Sequence, residues 1–297
     1  MRTISAGVAA IAIVIAALPA GAADATTLTV TSAVTNGSVI TVAGLLTLGA
    51  DATEPMTVST DPQGDARVSA AGFDLDASTV VADFSSSSPR LVVRQQIFGG
   101  LADPDGNPPG QGYSWPIQID DGGGDPLWLA AGSKGTNFLP SEGWWTGLCS
   151  ISADGWLCDS PVPGSVTADA ITWIVPFTML QARAGRTVGA GTAYGGTPRS
   201  FVWPSVIVTS STAPLDTASA AFPYLIPGLV EAGIAATGTL PSQVSFTTSA
   251  PFAHRTGQYQ LTLPAPAQPG DYTIWVRSCF GDAEAPTCVL SSQPLAV

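Results

Sequence analysis

Tyr259-Gln260-Leu261-Thr262-Leu263 and Tyr272-Thr273-Ile274-Trp275-Val276 decide the fold class. In both runs every second residue is apolar and faces one side, while Gln and Thr take the other side in the first run. A period of two is what an antiparallel strand buried on one face requires. Between them Pro269-Gly270-Asp271 supplies turn chemistry. Runs at 234–237, 244–248 and 288–290 recur at similar spacing, so residues 228–297 read as a compact sandwich of antiparallel strands.

The same texture extends towards the N-terminus. Thr27–Ala33 and Val39–Leu48 flank Asn36-Gly37, a favoured two-residue hairpin turn because both residues tolerate positive φ. Asn36-Gly37-Ser38 is also a glycosylation sequon, but the turn reading is preferred. Further strands are expected at 79–84, 91–98, 113–119, 127–131, 166–175 and 202–209. One helix is expected. Pro176 precedes Phe177–Ala184 and Gly185 follows it, the proline-first, glycine-last signature of a two-turn helix. Leu229–Ala236 contains helix formers, but Val230, Gly233 and Ile234 favour a strand. The fold class is therefore all-β, with two antiparallel β-sandwich modules, the larger carrying one short helix. The expected division is a leader at 1–22, a larger module at 23–222, a linker near 210–227 and a smaller, immunoglobulin-like module at 228–297.

Composition fits this reading and removes others. Of 297 residues, 45% are hydrophobic and 11% charged, too apolar for a disordered chain. A net charge of -12 argues against nucleic-acid binding, which needs a basic surface. Met1-Arg2-Thr3, the apolar run Ile4–Leu18 and the small residues Ala20-Gly21-Ala22 form a secretory signal pattern, with cleavage expected after Ala22. That run is about 15 residues, short of the roughly 20 needed to span a bilayer, and no transmembrane segment is expected after its removal. The expected location is extracellular, in solution or held non-covalently on the cell surface. Cys149 with Cys158, and Cys279 with Cys288, each bracket a turn containing Gly and Asp, as a disulfide across a hairpin does. Zinc is not expected, because there is no Cys-x-x-Cys and His254 is the one histidine.

Asp61-Pro62-Gln63-Gly64-Asp65-Ala66, then Phe73-Asp74-Leu75 and Leu91-Val92-Val93, resembles the opening of secreted DOMON-like sandwich domains. Ile174-Val175-Pro176, Leu180 and Gly185 look like their closing strand, proline and short helix. Pro269-Gly270-Asp271-Tyr272-Thr273 with Cys279 and Cys288 is similar to the C-terminal Ig-like modules of secreted actinobacterial proteins. The resemblance covers about 50–210 and 228–297 and implies a haem or sugar ligand. Haem is not expected, since the larger module contains no histidine.

No Gly-x-Ser-x-Gly occurs, and His254 reads as a surface residue in Phe252-Ala253-His254-Arg255. A non-catalytic role is expected. Calcium is the candidate ion, because it takes several carboxylate and carbonyl oxygens. Three acidic clusters offer them: Asp61/Asp65/Asp74/Asp76, then Asp103/Asp105/Asn107, then Asp120/Asp121/Asp125. The second ranks first, its oxygen donors standing at alternate positions, although Pro108 and Ser114 depart from an EF-hand. The candidate ligand-binding residues are Trp144 and Trp145, adjacent on a strand and so directed to opposite faces. An exposed tryptophan beside polar groups stacks on sugar rings. The expected function is binding of a cell-envelope or extracellular glycan or protein. The alternatives are a hydrolase using Asp/Glu pairs and a purely structural envelope protein.

Overall fold

A computed structural model describes residues 25–65, 74–101, 111–119, 127–133, 144–152, 155–185, 188–195, 199–202, 216–218 and 223–297. The expected leader at 1–22, Asp103, Asp105, Asn107 and the cluster at 120–125 lie outside the described residues. Along the chain come β1 (Thr27–Asn36), β2 (Val39–Thr47), a single helical turn α1 (Ala50–Thr53), β3 (Met56–Thr60), β4 (Leu75–Asp83) and β5 (Arg90–Ile97). Next are β6 (Gln111–Ile119), β7 (Leu127–Ser133), β8 (Trp144–Ser152), β9 (Gly155–Pro161), β10 (Gly164–Val166) and β11 (Ala170–Pro176). Helix α2 (Phe177–Ala184) is followed by β12 (Ala193–Gly195), β13 (Arg199–Val202), β14 (Asp216–Thr217) and β15 (Tyr224–Leu225). The chain closes with β16 (Leu229–Ala236), a 3-10 turn at Pro241–Gln243, β17 (Thr248–Pro251), β18 (Gln258–Pro264), β19 (Asp271–Asp282) and β20 (Thr287–Ala296). The fold is all-β, and among the described residues every strand pair is antiparallel. No helix among the described residues is long and apolar enough to cross a membrane.

The larger sandwich packs the sheet β10-β11-β5-β4-β3 against strands β6 to β9. Leu75, Val80, Leu91, Val93, Ile171 and Val175 from the first meet Leu127, Leu129, Ala131 and Leu148 from the second in one core. The buried indole of Trp173 crosses that core and donates to the Ala130 carbonyl at 2.9 Å. Helix α2 forms where the sequence placed it. Gly185 ends it at φ +66°, and Phe177 and Leu180, three residues apart, are both buried. The expected strand at 166–175 is instead a tight pair, β10 and β11, with Thr167 donating to the Ala170 carbonyl between them.

The module boundary differs from the sequence expectation. The sequence division places the β1–β2 hairpin, with Gly37 at φ +61°, in the larger module. Instead β2 pairs with β18 from Val39↔Pro264 to Leu45↔Gln258. Leu28, Ile40, Val42 and Leu46 share their core with Val230, Leu261, Ile274 and Val276. The smaller sandwich therefore combines β1-β2-β18 with the strands β17-β16-β19-β20, and the larger module is inserted between β2 and β16. The described end of the expected linker is not free either. Tyr224 and Leu225 pair with both β12 and β19, joining sheets of the two modules, and Tyr224 is buried in the larger core.

The strand expected at 244–248 is also displaced. Gly233 lies so close beneath Ser245 that a Cβ there would collide with the Ser245 carbonyl. The chain crosses β16 at that point, Thr247 donates to the Ala232 carbonyl, and regular pairing starts only at Thr248.

Candidate functional site

Four aspartates from three chain segments converge at one end of the larger sandwich. Asp61 follows β3, Asp65 sits in the next turn, Asp74 precedes β4, and Asp216 belongs to β14. One carboxylate oxygen from each lies within 4.8 Å of all the others. Local hydrogen bonds hold the group. The Gly64 amide donates to Asp74 Oδ2 at 2.7 Å, and φ of +88° at Gly64 makes that turn a glycine position. The Leu75 amide donates to Asp216 Oδ2 at 2.7 Å, and the Thr217 amide to Asp216 Oδ1 at 2.8 Å. Asp61 and Asp216 are buried, at 8% and 6% exposure, while Asp65 is exposed. Asp74 Oδ1 is screened from solvent and accepts no hydrogen bond.

Like charges held this close repel one another, and solvent screens the exposed Asp65 more than the buried Asp61 and Asp216. The donor set is all carboxylate oxygen, which suits a hard cation such as calcium better than zinc. Three of these residues belong to the first acidic cluster seen in the sequence. Asp76 does not join them, and Asp216 was missed. It stands 142 positions beyond Asp74 in a two-residue strand, with no local pattern to mark it.

Trp145 lies on β8 opposite Gly132, and Trp144 opposite Ser133. Trp145 is half-buried, and its six-membered ring fills the space that a Cβ on Gly147 would take. Gly132 and Ala130 oppose Trp145 and Gly147 on β7, so the indole rests on a floor of small residues. Only the strand position of Trp144 is described.

Cys279 and Cys288 are directly paired across β19 and β20 and form a disulfide. Cys149 is also disulfide-bonded. It lies at the irregularity where Leu148↔Ser160 shifts to Ser150↔Leu157, which leaves positions 158 and 159 of β9 between those pairs.

His254 is not a plain surface residue. It is half-buried, its Nε2 is screened from solvent without a hydrogen bond, and it lines a cleft of about 660 Å³ between the modules. Leu46, Leu48, Phe84 and Phe252 form the apolar walls of that cleft, and Asp83 stands at its side. Hydrogen bonds from Ser85 and the Arg90 guanidinium, 2.7 Å away, hold the Asp83 carboxyl below the usual carboxylate range.

No protein-family model, no curated protein and no solved structure matches this chain.

Proposed function

We propose that this is a secreted, non-catalytic binding protein that attaches to a glycan of the cell envelope or its surroundings. The observation that carries the reading is Trp145, a half-buried indole laid over Gly147 on β8. An aromatic ring supported from below by glycine is a stiff platform, and stacking on it costs little conformational entropy. The leader-like N-terminus and the Cys279–Cys288 disulfide support export to an oxidising compartment. Binding is favoured over carboxylate-based hydrolysis because two of the four clustered aspartates give oxygens to backbone amides that hold the fold. Asp216 uses both, and Asp74 uses one.

The test is retention of the purified mature protein on isolated cell envelope and on a panel of insoluble polysaccharides. Saturable binding that drops at least tenfold in Trp145→Ala, with an unchanged melting temperature, is the expected result. Equal retention of the variant and the parent would remove Trp145 from the site.

A further inference from the structure

The strands of the β1-β2-β18 sheet carry no charged side chain. They read TLTVTSAVTN, VITVAGLLT and QYQLTLP, and none of these residues is Asp, Glu, Lys, Arg or His. This occurs in a chain of net charge -12. Val34, Val39 and Leu45 expose 60%, 39% and 40% of their surface here, three of the five large hydrophobics most exposed among the described residues.

A groove of about 610 Å³ opens at this sheet, within the about 300–1,000 Å³ of small-ligand sites. Thr31, Ala43, Leu45, Phe252, Gln258 and Gln260 line it, and none of its other lining residues is charged. The register sets the polar groups in rows. Gln258 stands opposite Leu45 and Gln260 opposite Ala43, both glutamines are exposed, and two residues along a strand separate them by about 6.8 Å. Thr31 donates its hydroxyl to the Ala43 carbonyl and keeps its lone pairs for a ligand. Tyr259 also lines the groove, with its hydroxyl donating to the Thr29 carbonyl at 2.9 Å.

We infer that this groove binds a neutral oligosaccharide chain, with Gln258 and Gln260 as its hydrogen-bonding residues and Leu45 and Phe252 as its apolar contacts. Charge selects the ligand class. An anionic polymer is repelled by the net charge of the protein, and a cationic one finds no carboxylate in the groove. A neutral polyol needs groups that both donate and accept, which side-chain amides and hydroxyls do. Its C–H faces need apolar surface, which Leu45 and Phe252 supply. The inference deepens the glycan reading. It places a second contact surface on the smaller sandwich and fixes the charge class of the ligand.

The test is calorimetry on the full mature protein. The ligands are neutral hexasaccharides built from glucose, mannose, xylose or N-acetylglucosamine, with an anionic oligogalacturonate beside them. At least one neutral ligand is expected to bind. The Gln258→Ala/Gln260→Ala variant, and separately Leu45→Asp, are expected to weaken it at least tenfold. All three positions are exposed, and the melting temperature of each variant checks its fold. No binding of any neutral ligand, or preference for the anionic one, overturns the groove. Loss in Trp145→Ala with the groove variants unchanged also overturns it, while upholding the Trp145 platform. Loss in the groove variants with Trp145→Ala unchanged upholds the groove and overturns that platform.

Discussion

The ring of Phe84 in the larger sandwich meets the ring of Phe252 in the smaller one edge to face, with centroids 5.4 Å apart. Phe84 also meets Phe177 of α2 at 6.0 Å, so three rings run from one core to the other. On the far side Phe252 packs against Gly228, where φ is +102° and a Cβ would collide with the Phe252 ring. The modules are therefore coupled through packing as well as through β15. Phe84→Ala removes the middle ring. Because Phe84 is only half-buried, the cost should be about 2 kcal/mol, below the roughly 3–5 kcal/mol of a fully buried phenylalanine. Scanning calorimetry should show one cooperative transition in the parent and a lower, broadened or split one in the variant. An unshifted single transition would mean that β15 alone carries the coupling.

Asp216 ties the start of β4 to β14 by accepting the Leu75 amide across 141 positions. Leu75 is fully buried, so Asp216→Ala leaves that amide without its acceptor. The expected cost is about 1–3 kcal/mol, read as a lower urea midpoint at unchanged slope. An unaltered midpoint would show that relief of carboxylate repulsion offsets the lost bond.

Alkaline pH should weaken the fold. Tyr224 is buried, and its hydroxyl oxygen accepts the Ala82 amide at 3.1 Å. Desolvation pushes its pKa up to about 12, from 10.0 in an unfolded chain. Its contribution is complete below pH 10. Above that the unfolded state loses the proton first, so stability falls by about 1.4 kcal/mol per pH unit until pH 12. Burial raises Tyr259 to about 12 as well, in the same direction. Denaturant midpoints taken from pH 8 to 12 should decline, and Tyr224→Phe should decline less steeply from a lower start. Parallel curves would assign the alkaline loss to other groups.

Reducing the Cys279–Cys288 bond reopens a loop of nine-residue separation. The chain-entropy model gives about 2–3 kcal/mol for a loop of that size. Cys279→Ser/Cys288→Ser should lower the melting temperature by that equivalent while leaving the β19–β20 pairing intact in far-UV dichroism. A loss near zero would mean that residual hairpin structure already restrains this loop in the unfolded chain.

Features set by neighbours in sequence were readable without coordinates. Asn36-Gly37 marked its hairpin, Pro176 and Gly185 bounded α2, and Leu229–Ala236 formed the strand that its β-branched residues implied. What depended on distant partners was not. Nothing in Val39–Thr47 states that its partner is Gln258–Pro264, because a hairpin with one apolar face suits either sandwich. The fit becomes visible only when the Tyr259 ring is seen over Gly44, where a Cβ could not stand. The candidate site divides the same way. Asp61, Asp65 and Asp74 are near in sequence and were grouped, whereas Asp216 enters through folding alone.

The inserted arrangement also sets an order of events. Leu45 is made 213 positions before its partner Gln258. Contacts that distant form slowly, since the intervening chain must first be ordered. Until β18 emerges, the hairpin Thr27–Thr47 presents an open, uncharged strand edge, the kind that pairs with other chains. Strands β1 and β2 thus leave the ribosome long before the strand that covers them, and a chain cut short before residue 258 strands them in the form most prone to aggregate.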